Sequence, residues 1–192
     1  MTDDILQKFE QAKAYLRGHF LLTSGQHSEV YFEKFMLLQY PDIMAELCAR
    51  LAAPYKDLKV QTVVGPTLGG VVIAYEVARQ LGCRAIYAEA DGDRRVLKRG
   101  FALENSERVL LVDDILTTGR SVREVVAMAE SYQCDILGIA LILDRSGGTT
   151  FSYPLTALAS IDAESFDPSD CPLCKKGIPI TQRGSRSMAA KS

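Results

Sequence analysis

Residues 109–121 read VLLVDDILTTGRS and decide the fold class of this 192-residue chain. Four apolar residues, 109–112, predict a buried strand, and a turn rich in hydroxyl groups follows just before a helical pattern. The strand delivers Asp113 and Asp114 to the end of a sheet, where ligands bind in open α/β folds. Backbone N–H groups at the start of the next helix form a local anion site, to which hydroxyl groups add donors. A sugar phosphate fits this combination of carboxylates and phosphate cradle.

Short strands alternate with helices along the chain, which predicts parallel strands joined by right-handed crossovers. The first part predicts a helix from Thr2 or Asp3 to Gly18, extended stretches over residues 19–34, and a helix that opens at Pro41. Later strands are predicted at residues 60–64, 84–88, 109–112 and 136–143, and later helices at residues 71–81 and 121–132. The predicted class is α/β, with a central, mostly parallel sheet flanked by helices.

Charge and hydropathy exclude several function classes. The chain has 22 basic and 24 acidic residues and a net charge of −2. It therefore lacks the excess of positive charge that is typical of nucleic-acid-binding proteins. No apolar run approaches the roughly 18 residues that span a bilayer, and no signal peptide is recognisable. We therefore expect no membrane partner and a cytoplasmic location. Five cysteines do not form the even set of a secreted disulfide framework, and three of them, Cys48, Cys83 and Cys134, are expected in the core.

Residues 109–121 resemble the phosphoribosyl-pyrophosphate signature of the type I phosphoribosyltransferases. Further segments narrow the resemblance to the bacterial orotate phosphoribosyltransferases with a C-terminal Cys-Pro-x-Cys. In chain order they are residues 22–28 (LTSGQHS), 65–71 (GPTLGGV), 97–101 (LKRGF), 143–148 (LDRSGG) and 171–174 (CPLC). The resemblance implies the type I fold as one domain over residues 1–182, with a small hood from about residues 18–36 and 150–180. Residues 183–192 are expected to form a loose tail.

The resemblance implies transfer of the 5-phosphoribosyl group from phosphoribosyl pyrophosphate to orotate, a step of pyrimidine synthesis, with Mg²⁺ as the cofactor. It also implies a homodimer in which a mobile loop is shared between subunits. Two alternatives stay open, because the signature contacts the sugar phosphate and not the base. One is a salvage phosphoribosyltransferase for another base, and the other is a regulator that senses phosphoribosyl pyrophosphate without turnover.

The resemblance also implies a role for each matching residue. Asp113 and Asp114 would hold the ribose hydroxyls, directly or through Mg²⁺, and are expected to be catalytic together with Arg94 and Arg95. Thr117 and Arg145 would face orotate, with Arg145 meeting the carboxylate in a charge-assisted pair. The residues expected to bind phosphoribosyl pyrophosphate are Asp113, Asp114, Ile115, Leu116, Thr117, Thr118, Gly119, Arg120, Ser121, Leu68 and Gly69.

Two loops carry the expected pyrophosphate contacts. In residues 65–70, the glycines let backbone N–H groups approach an anion closely. The resemblance also implies a non-proline cis peptide bond in this loop, which we expect at Leu68–Gly69. Residues 89–99 resemble the mobile loop, but Ala90 stands where a lysine or arginine is common. Arginine can bind a pyrophosphate with two hydrogen bonds, and the basic residues left in this region are Arg94, Arg95, Lys98 and Arg99.

Cys171 and Cys174 have the spacing of a zinc knuckle, but a tetrahedral zinc site needs four ligands. No second Cys-x-x-Cys exists, and the two histidines of the chain, His19 and His27, lie far away in the sequence. The sequence favours a tight structural turn or a redox-sensitive pair over zinc within one chain, and leaves a site shared across a dimer open. His27 is expected to be a polar loop residue and not a catalytic base.

Overall fold

The computed structural model describes residues 2–22, 24–162 and 164–183. Strands and helices alternate through most of this range. The strands are β1 (Tyr15–Leu21), β2 (His27–Phe32), β3 (Thr62–Pro66), β4 (Arg84–Asp91), β5 (Arg94–Val96), β6 (Arg108–Leu116), β7 (Asp135–Asp144), β8 (Leu155–Ser160), β9 (Ser165–Phe166) and β10 (Thr181–Gln182). The helices are α1 (Thr2–Gln11), α2 (Lys34–Leu38), α3 (Pro41–Ala52), α4 (Gly69–Leu81), α5 (Arg120–Ser131) and α6 (Pro172–Lys175), with a 3-10 segment at Ala53–Leu58.

The main sheet has six strands in the order β5-β4-β3-β6-β7-β8. Five of them run parallel, and β5 alone pairs antiparallel with its neighbour β4. Apolar side chains cover both faces in two clusters, one with α1, α3 and α4 and the other with α5. The predicted α/β class with a central, mostly parallel sheet is therefore confirmed.

β6 lies in the middle of this sheet, and seven of its nine residues are buried. Leu110, Leu111 and Val112 are almost fully buried, and each such side chain contributes about 1.5–3 kcal/mol relative to its exposed state. Its continuation into α5 places the residues of the signature on a rigid element, which is what a binding site needs.

A second, smaller sheet has the order β10-β1-β2-β9, and we call this sheet the hood. Residues 24–26 form the tip of its β1–β2 hairpin, where the Leu22 N–H donates to the Gln26 carbonyl oxygen at 2.8 Å. Thr23 of that segment lies outside the described residues. The predicted hood bounds of 150–180 are too wide at one end, because β8 pairs with β7 and belongs to the main sheet. Of the predicted tail over residues 183–192, the description reaches Arg183.

The first predicted helix is too long. α1 ends at Gln11 because Lys13 adopts a left-handed conformation with φ of 53°, and the Ala14 N–H then caps the Phe9 carbonyl at 2.7 Å. Gly18, the predicted end of that helix, lies inside β1. The predicted start of α3 at Pro41 and the end of α4 before Gly82, which has φ of 68°, are confirmed.

The strand boundaries also differ from the prediction. β6 continues to Leu116, so Asp113 and Asp114 lie inside the strand and not beyond its end. The polar stretch over residues 89–99 does not interrupt the sheet but extends β4 and turns back as β5. None of the helices in the described part of the chain is long and apolar enough to cross a membrane.

Candidate active site

The acidic pair is held by hydrogen bonds from its own strand and from α5. Asp113 and Asp114 are only 5% and 3% exposed. Ser121 Oγ donates to Asp113 Oδ2 at 2.8 Å, and the Asp114 N–H donates to Asp113 Oδ1 at 2.8 Å. The Ile115 N–H donates to Asp114 Oδ1 at 2.6 Å. Both carboxylates are therefore oriented before any ligand arrives.

Burial, together with the adjacent charge of Asp114, raises the pKa of Asp113 to about 6. The hydrogen bonds from Ser121 and from the Asp114 N–H, together with the charge of Lys34, act in the opposite direction. Two carboxylates this close and this dry repel each other. A ligand that brings hydroxyl donors or positive charge relieves that repulsion, whereas a bare phosphate would increase it.

Lys34 is a residue of this site that the sequence reasoning missed. Its Nζ donates to Asp114 Oδ1 at 3.1 Å and lies 2.9 Å from Oδ2. The geometry at Oδ2 does not make a hydrogen bond, so this buried oxygen has no hydrogen-bond partner among the described residues. Lys34 begins α2, shortly after β2, and is 80 positions away from Asp114. Its position just after a hood strand is the only sequence signal that could have identified it as a site residue.

The glycine-rich loop between β3 and α4 packs directly against the acidic pair. A Cβ atom at Gly69 would lie 1.8 Å from Asp114 Oδ2, and one at Gly65 would lie 2.2 Å from the Gly70 carbonyl oxygen. Only glycine permits these approaches. The non-proline cis peptide bond in this loop joins Thr67 and Leu68, so the expected position at Leu68–Gly69 is wrong by one residue.

Arg95 contacts the same loop from the β4–β5 hairpin. Its Nη1 donates to Thr67 Oγ1 at 3.0 Å, and its Nε donates to Glu124 on α5 at 3.3 Å. Arg95 pairs across the hairpin with Ala90, the position where the family commonly has a basic residue. Arg94, by contrast, has a side chain that is 76% exposed and forms an ion pair with the nearby Asp91 at 3.3 Å. The structure thus separates the two arginines that the sequence treated alike.

The turn after β6 opens α5. Gly119 has φ of 76° and is buried, whereas Thr117 and Thr118 are exposed. Ile115 and Leu116 remain in β6, and Leu116 is buried. The Arg120 side chain donates to Glu124 at 2.7 Å and to Asp93 at 3.0 Å, so its guanidinium is engaged by carboxylates. Within this turn, the exposed side-chain hydroxyls are those of Thr117 and Thr118.

Arg145 lies just beyond β7, next to the end of β6. Its backbone N–H donates to the Leu116 carbonyl at 2.8 Å, and its guanidinium carbon lies 4.7 Å from the Phe32 ring centroid in the hood. Burial lowers the pKa of Arg145, and Tyr15 and Tyr31 partly oppose this shift. Its buried Nε has no hydrogen-bond partner, and its guanidinium forms no ion pair, within the described ranges. An anionic group between hood and sheet would satisfy it.

The remaining sequence candidates lie in a separate cluster. The side chains of Cys171 and Cys174 lie close to those of His19 and His27, and this cluster does not include the acidic pair. His27 is buried at the start of β2, so the expectation of a polar loop position is wrong. The cysteines Cys48, Cys83 and Cys134 are free; the first is buried and the others are half-buried.

The chain matches known proteins over most of its length. Residues 37–166 match the family model of the phosphoribosyl transferase domain. An orotate phosphoribosyltransferase of Caldicellulosiruptor bescii is 45% identical over 96% of this chain and 97% of its own length. One from Chlorobaculum parvum is 41% identical over 98% of both chains.

Solved structures share the fold. The orotate phosphoribosyltransferase of Aeropyrum pernix superposes with a TM-score of 0.70 at 23% identity, over 82% of this chain and 93% of that one. An adenine phosphoribosyltransferase of Thermoanaerobacter pseudethanolicus gives a TM-score of 0.60 at 17% identity, over 69% of this chain and 88% of that one. The family-model match and the identities of 41–45% over nearly whole chains lead to one conclusion. This chain belongs to the phosphoribosyltransferase family and, within it, to the orotate phosphoribosyltransferases.

Proposed function

We propose that this protein transfers the 5-phosphoribosyl group of phosphoribosyl pyrophosphate to orotate, giving orotidine 5-phosphate and pyrophosphate. The observation that carries the proposal is the arrangement around the end of β6. A buried acidic pair, a helix-opening turn and Arg145, whose guanidinium forms no ion pair with the described residues, lie close together at the ends of β6 and β7. These groups complement a ribose, a phosphate and a carboxylate. The relatives, which are named for orotate, supply the identity of the base.

The ribose end of the substrate is matched by Asp113 and Asp114. Ribose hydroxyls are donors, and buried carboxylates are acceptors that lack enough donors of their own, as the unpartnered Oδ2 of Asp114 illustrates. The same oxygen-rich pair fits Mg²⁺, which prefers carboxylate ligands together with substrate phosphates. Asp113 and Asp114 would hold that ion, directly or through water, and its charge would neutralise the pyrophosphate. Lys34 supplies positive charge at the same carboxylate.

The 5-phosphate is matched by the turn at residues 117–121. Thr117 and Thr118 offer exposed hydroxyls, and the N-terminus of α5 offers backbone N–H groups to an anion. The Ser121 hydroxyl already donates to Asp113, so it supports the acidic pair beside this turn. The Arg120 side chain is occupied by Glu124 and Asp93, so its contribution to the phosphate is through its backbone N–H. Gly119 allows the turn because it takes a positive φ that other residues rarely adopt.

The pyrophosphate is matched by the loop that contains Leu68 and Gly69, and by Arg95. Arg95 is 13% exposed and already touches Thr67 of this loop. Its position opposite Ala90 lets it bring a guanidinium to the place where a basic residue would otherwise stand. We therefore assign the leaving-group role to Arg95 ahead of Arg94, whose side chain is mostly in solvent.

Little covalent chemistry is required of the protein. As pyrophosphate leaves, C1 of the ribose gains positive charge, and N1 of orotate attacks from the opposite face with inversion. Arg95 and the loop N–H groups stabilise the leaving charge, and Arg145 fixes the base by its carboxylate. Phe32 at the end of β2 and Lys34 at the start of α2 would restrict water near the ribose, which protects the reactive carbon from hydrolysis.

We also propose that the protein is a cytoplasmic homodimer and that residues 1–182 form one catalytic domain. A homodimer would let the β4–β5 hairpin of one subunit reach the site of its partner. A cytoplasmic location is supported by five free cysteines, because disulfides are rare in reducing compartments. One catalytic domain over residues 1–182 is supported by the pairing of β10 with β1.

A base-competition experiment tests the function. Purified enzyme, phosphoribosyl pyrophosphate and Mg²⁺ are mixed with orotate, uracil, adenine and xanthine together, and the nucleotides formed are identified by mass spectrometry. Orotidine 5-phosphate should be the main product and its formation should require every component. Preferential use of another base would establish a salvage enzyme, and no nucleotide at high enzyme concentration would favour a regulator.

A further inference from the structure

Two histidines and two cysteines from distant parts of the chain converge in the hood. His19 lies on β1, and His27 begins β2. Cys171 directly precedes α6, and Cys174 lies within it. One ligand atom from each side chain lies within 4.8 Å of every other. His19, His27 and Cys171 are buried. The fold therefore supplies the four ligands that the sequence spacing left missing.

The distances match a tetrahedral metal site. Zinc–nitrogen bonds of about 2.0–2.1 Å and zinc–sulfur bonds of about 2.3 Å put ligand atoms about 3.3 Å apart for two nitrogens and about 3.6 Å for nitrogen and sulfur. His19 Nε2 and His27 Nδ1 are 3.0 Å apart. His27 Nδ1 lies 3.3 Å from Cys174 Sγ. His19 Nε2 lies 3.6 Å from Cys171 Sγ and 3.8 Å from Cys174 Sγ.

A second hydrogen bond orients the first histidine for this role. His19 Nδ1 lies 2.7 Å from the Ile178 carbonyl oxygen. Because a carbonyl oxygen only accepts, Nδ1 must carry the proton, and Nε2 then presents its lone pair to the cluster. Metal-binding histidines almost always donate their other N–H to a carbonyl or carboxylate in this way. The hydrogen bond to Ile178 therefore holds His19 in the tautomer and the orientation that metal binding requires.

The turn that carries the cysteines is also suited to hold a metal. Pro172 occupies the first position of α6, and the Lys175 N–H donates to the Cys171 carbonyl oxygen at 3.1 Å. The turn closes at Gly177, which has φ of 68°. Both sulfurs therefore face the hairpin from one rigid turn, and both cysteines are free thiols.

We propose that His19 Nε2, His27 Nδ1, Cys171 Sγ and Cys174 Sγ bind one Zn²⁺ within a single chain. Two thiolates and two imidazoles are a common structural zinc set. Four protein ligands leave no open position for substrate or water, so the ion is structural. This site is separate from the Mg²⁺ expected at the acidic pair, and it removes the need for a site shared across a dimer.

The zinc would tie the end of the chain to the N-terminal hairpin. The ligands are 152 positions apart in the sequence, and the segment after α6 continues to β10, where Thr181 pairs with Phe20 of β1. The β2 strand that carries His27 ends at Phe32, which stacks on Arg145. Binding of zinc is therefore coupled to folding of the hood, and loss of the ion should lower the thermal midpoint.

Metal content of the whole protein tests the proposal without reference to turnover. The chain is purified under reducing conditions without added metal, and zinc is measured by mass spectrometry. We expect about one zinc per chain, at least a tenfold lower ratio in Cys174→Ser, and an unchanged ratio in the control Cys83→Ser. Cys83 is half-buried outside the cluster, so it controls for loss of a thiol.

Replacement of zinc by Co²⁺ in the unmodified protein gives a second measurement that does not depend on the folding of a variant. A tetrahedral site with two thiolates should give intense d–d absorption and a sulfur-to-cobalt charge-transfer band. Equal, substoichiometric zinc in the three proteins, or a cobalt spectrum without thiolate character, would overturn the proposal. A Cys171–Cys174 disulfide whose reduced form still takes up no metal would also overturn it and establish a redox pair.

Discussion

Gly69→Ala provides a sharp test of how the glycine-rich loop and the acidic pair fit together. The added methyl carbon would lie 1.8 Å from Asp114 Oδ2 and 2.9 Å from Asp114 Cγ, whereas ordinary contact begins near 3.4 Å. The backbone at Gly69 is outside the positive-φ region, so the penalty comes from this contact alone. Either the loop moves by more than one ångström, or Asp114 rotates and loses its bonds to the Ile115 N–H and Lys34.

Both responses displace groups that we propose to hold the substrate. A misplacement of about 1 Å costs roughly 100-fold in rate, which corresponds to about 2.7 kcal/mol of transition-state stabilisation. We therefore expect kcat/KM for phosphoribosyl pyrophosphate to fall about 100-fold or more in Gly69→Ala. The assay follows the loss of orotate absorbance at saturating orotate and varied phosphoribosyl pyrophosphate.

Val72→Ala is the matched control. Val72 lies three residues further along α4 and is 40% exposed, so removal of its methyl groups should leave kcat/KM within about twofold. The circular dichroism and thermal midpoint of Gly69→Ala establish that the fold persists. Normal kcat/KM in a folded Gly69→Ala protein would refute the packing of this loop on Asp114.

Three further changes separate the roles of individual residues. Arg145→Ala should raise KM for orotate about 10- to 100-fold, which corresponds to the loss of one charge-assisted hydrogen bond. The thermal midpoint should change little, because the guanidinium forms no ion pair among the described residues. A KM change confined to phosphoribosyl pyrophosphate would contradict this role. Arg95→Ala should lower kcat/KM for phosphoribosyl pyrophosphate about tenfold or more, and Arg94→Ala should stay within about twofold; equal effects would remove the distinction between them. Burial raises the pKa of Glu107, but hydrogen bonds from Thr62, the Glu104 N–H and Arg84, together with the Arg84 charge, bring it below the ordinary 4.5. Its stabilisation is therefore present above pH 4.5 and lost as pH falls through the lower folded-state pKa, so Glu107→Gln should lose about 1–2 kcal/mol of unfolding free energy at pH 7 and approach the wild type at acid pH in denaturant titrations.

Local patterns in the sequence predicted the main sheet well. The β-branched and apolar runs became β3, β6 and β7, and Pro41 and Gly82 bound helices as expected. The boundaries that failed depend on contacts between distant residues. β6 extends through Asp113 because β7 continues to pair beside it as far as Asp144, and no pattern within residues 109–121 contains that information.

The site was predictable only where one segment carries it. The acidic pair and its turn are contiguous in sequence, so their chemistry could be inferred directly. Lys34 could not be connected to Asp114, because the contact joins the start of α2 to a strand 80 positions away in the main sheet. Arg95 could not be ranked above Arg94 without the hairpin register that puts it opposite Ala90 and beside Thr67.

The histidine–cysteine cluster illustrates the same limit most clearly. Spacing along the chain disfavoured zinc, since only two ligands lie near each other in sequence. The other two arrive through pairing of β1 with β2 and of β10 with β1. A ligand set assembled from a sheet and a distant turn has no linear signature.

The central claim is that orotate and phosphoribosyl pyrophosphate react at the acidic pair on β6. The most direct measurement compares orotate consumption by the wild-type protein and by Asp114→Asn, at equal thermal midpoint and with Mg²⁺ present. We predict steady turnover by the wild type and a loss of about 100-fold or more in the variant, which keeps the shape but not the charge of the side chain. Equal turnover in both proteins, or none in the wild type at high enzyme concentration, would contradict the claim.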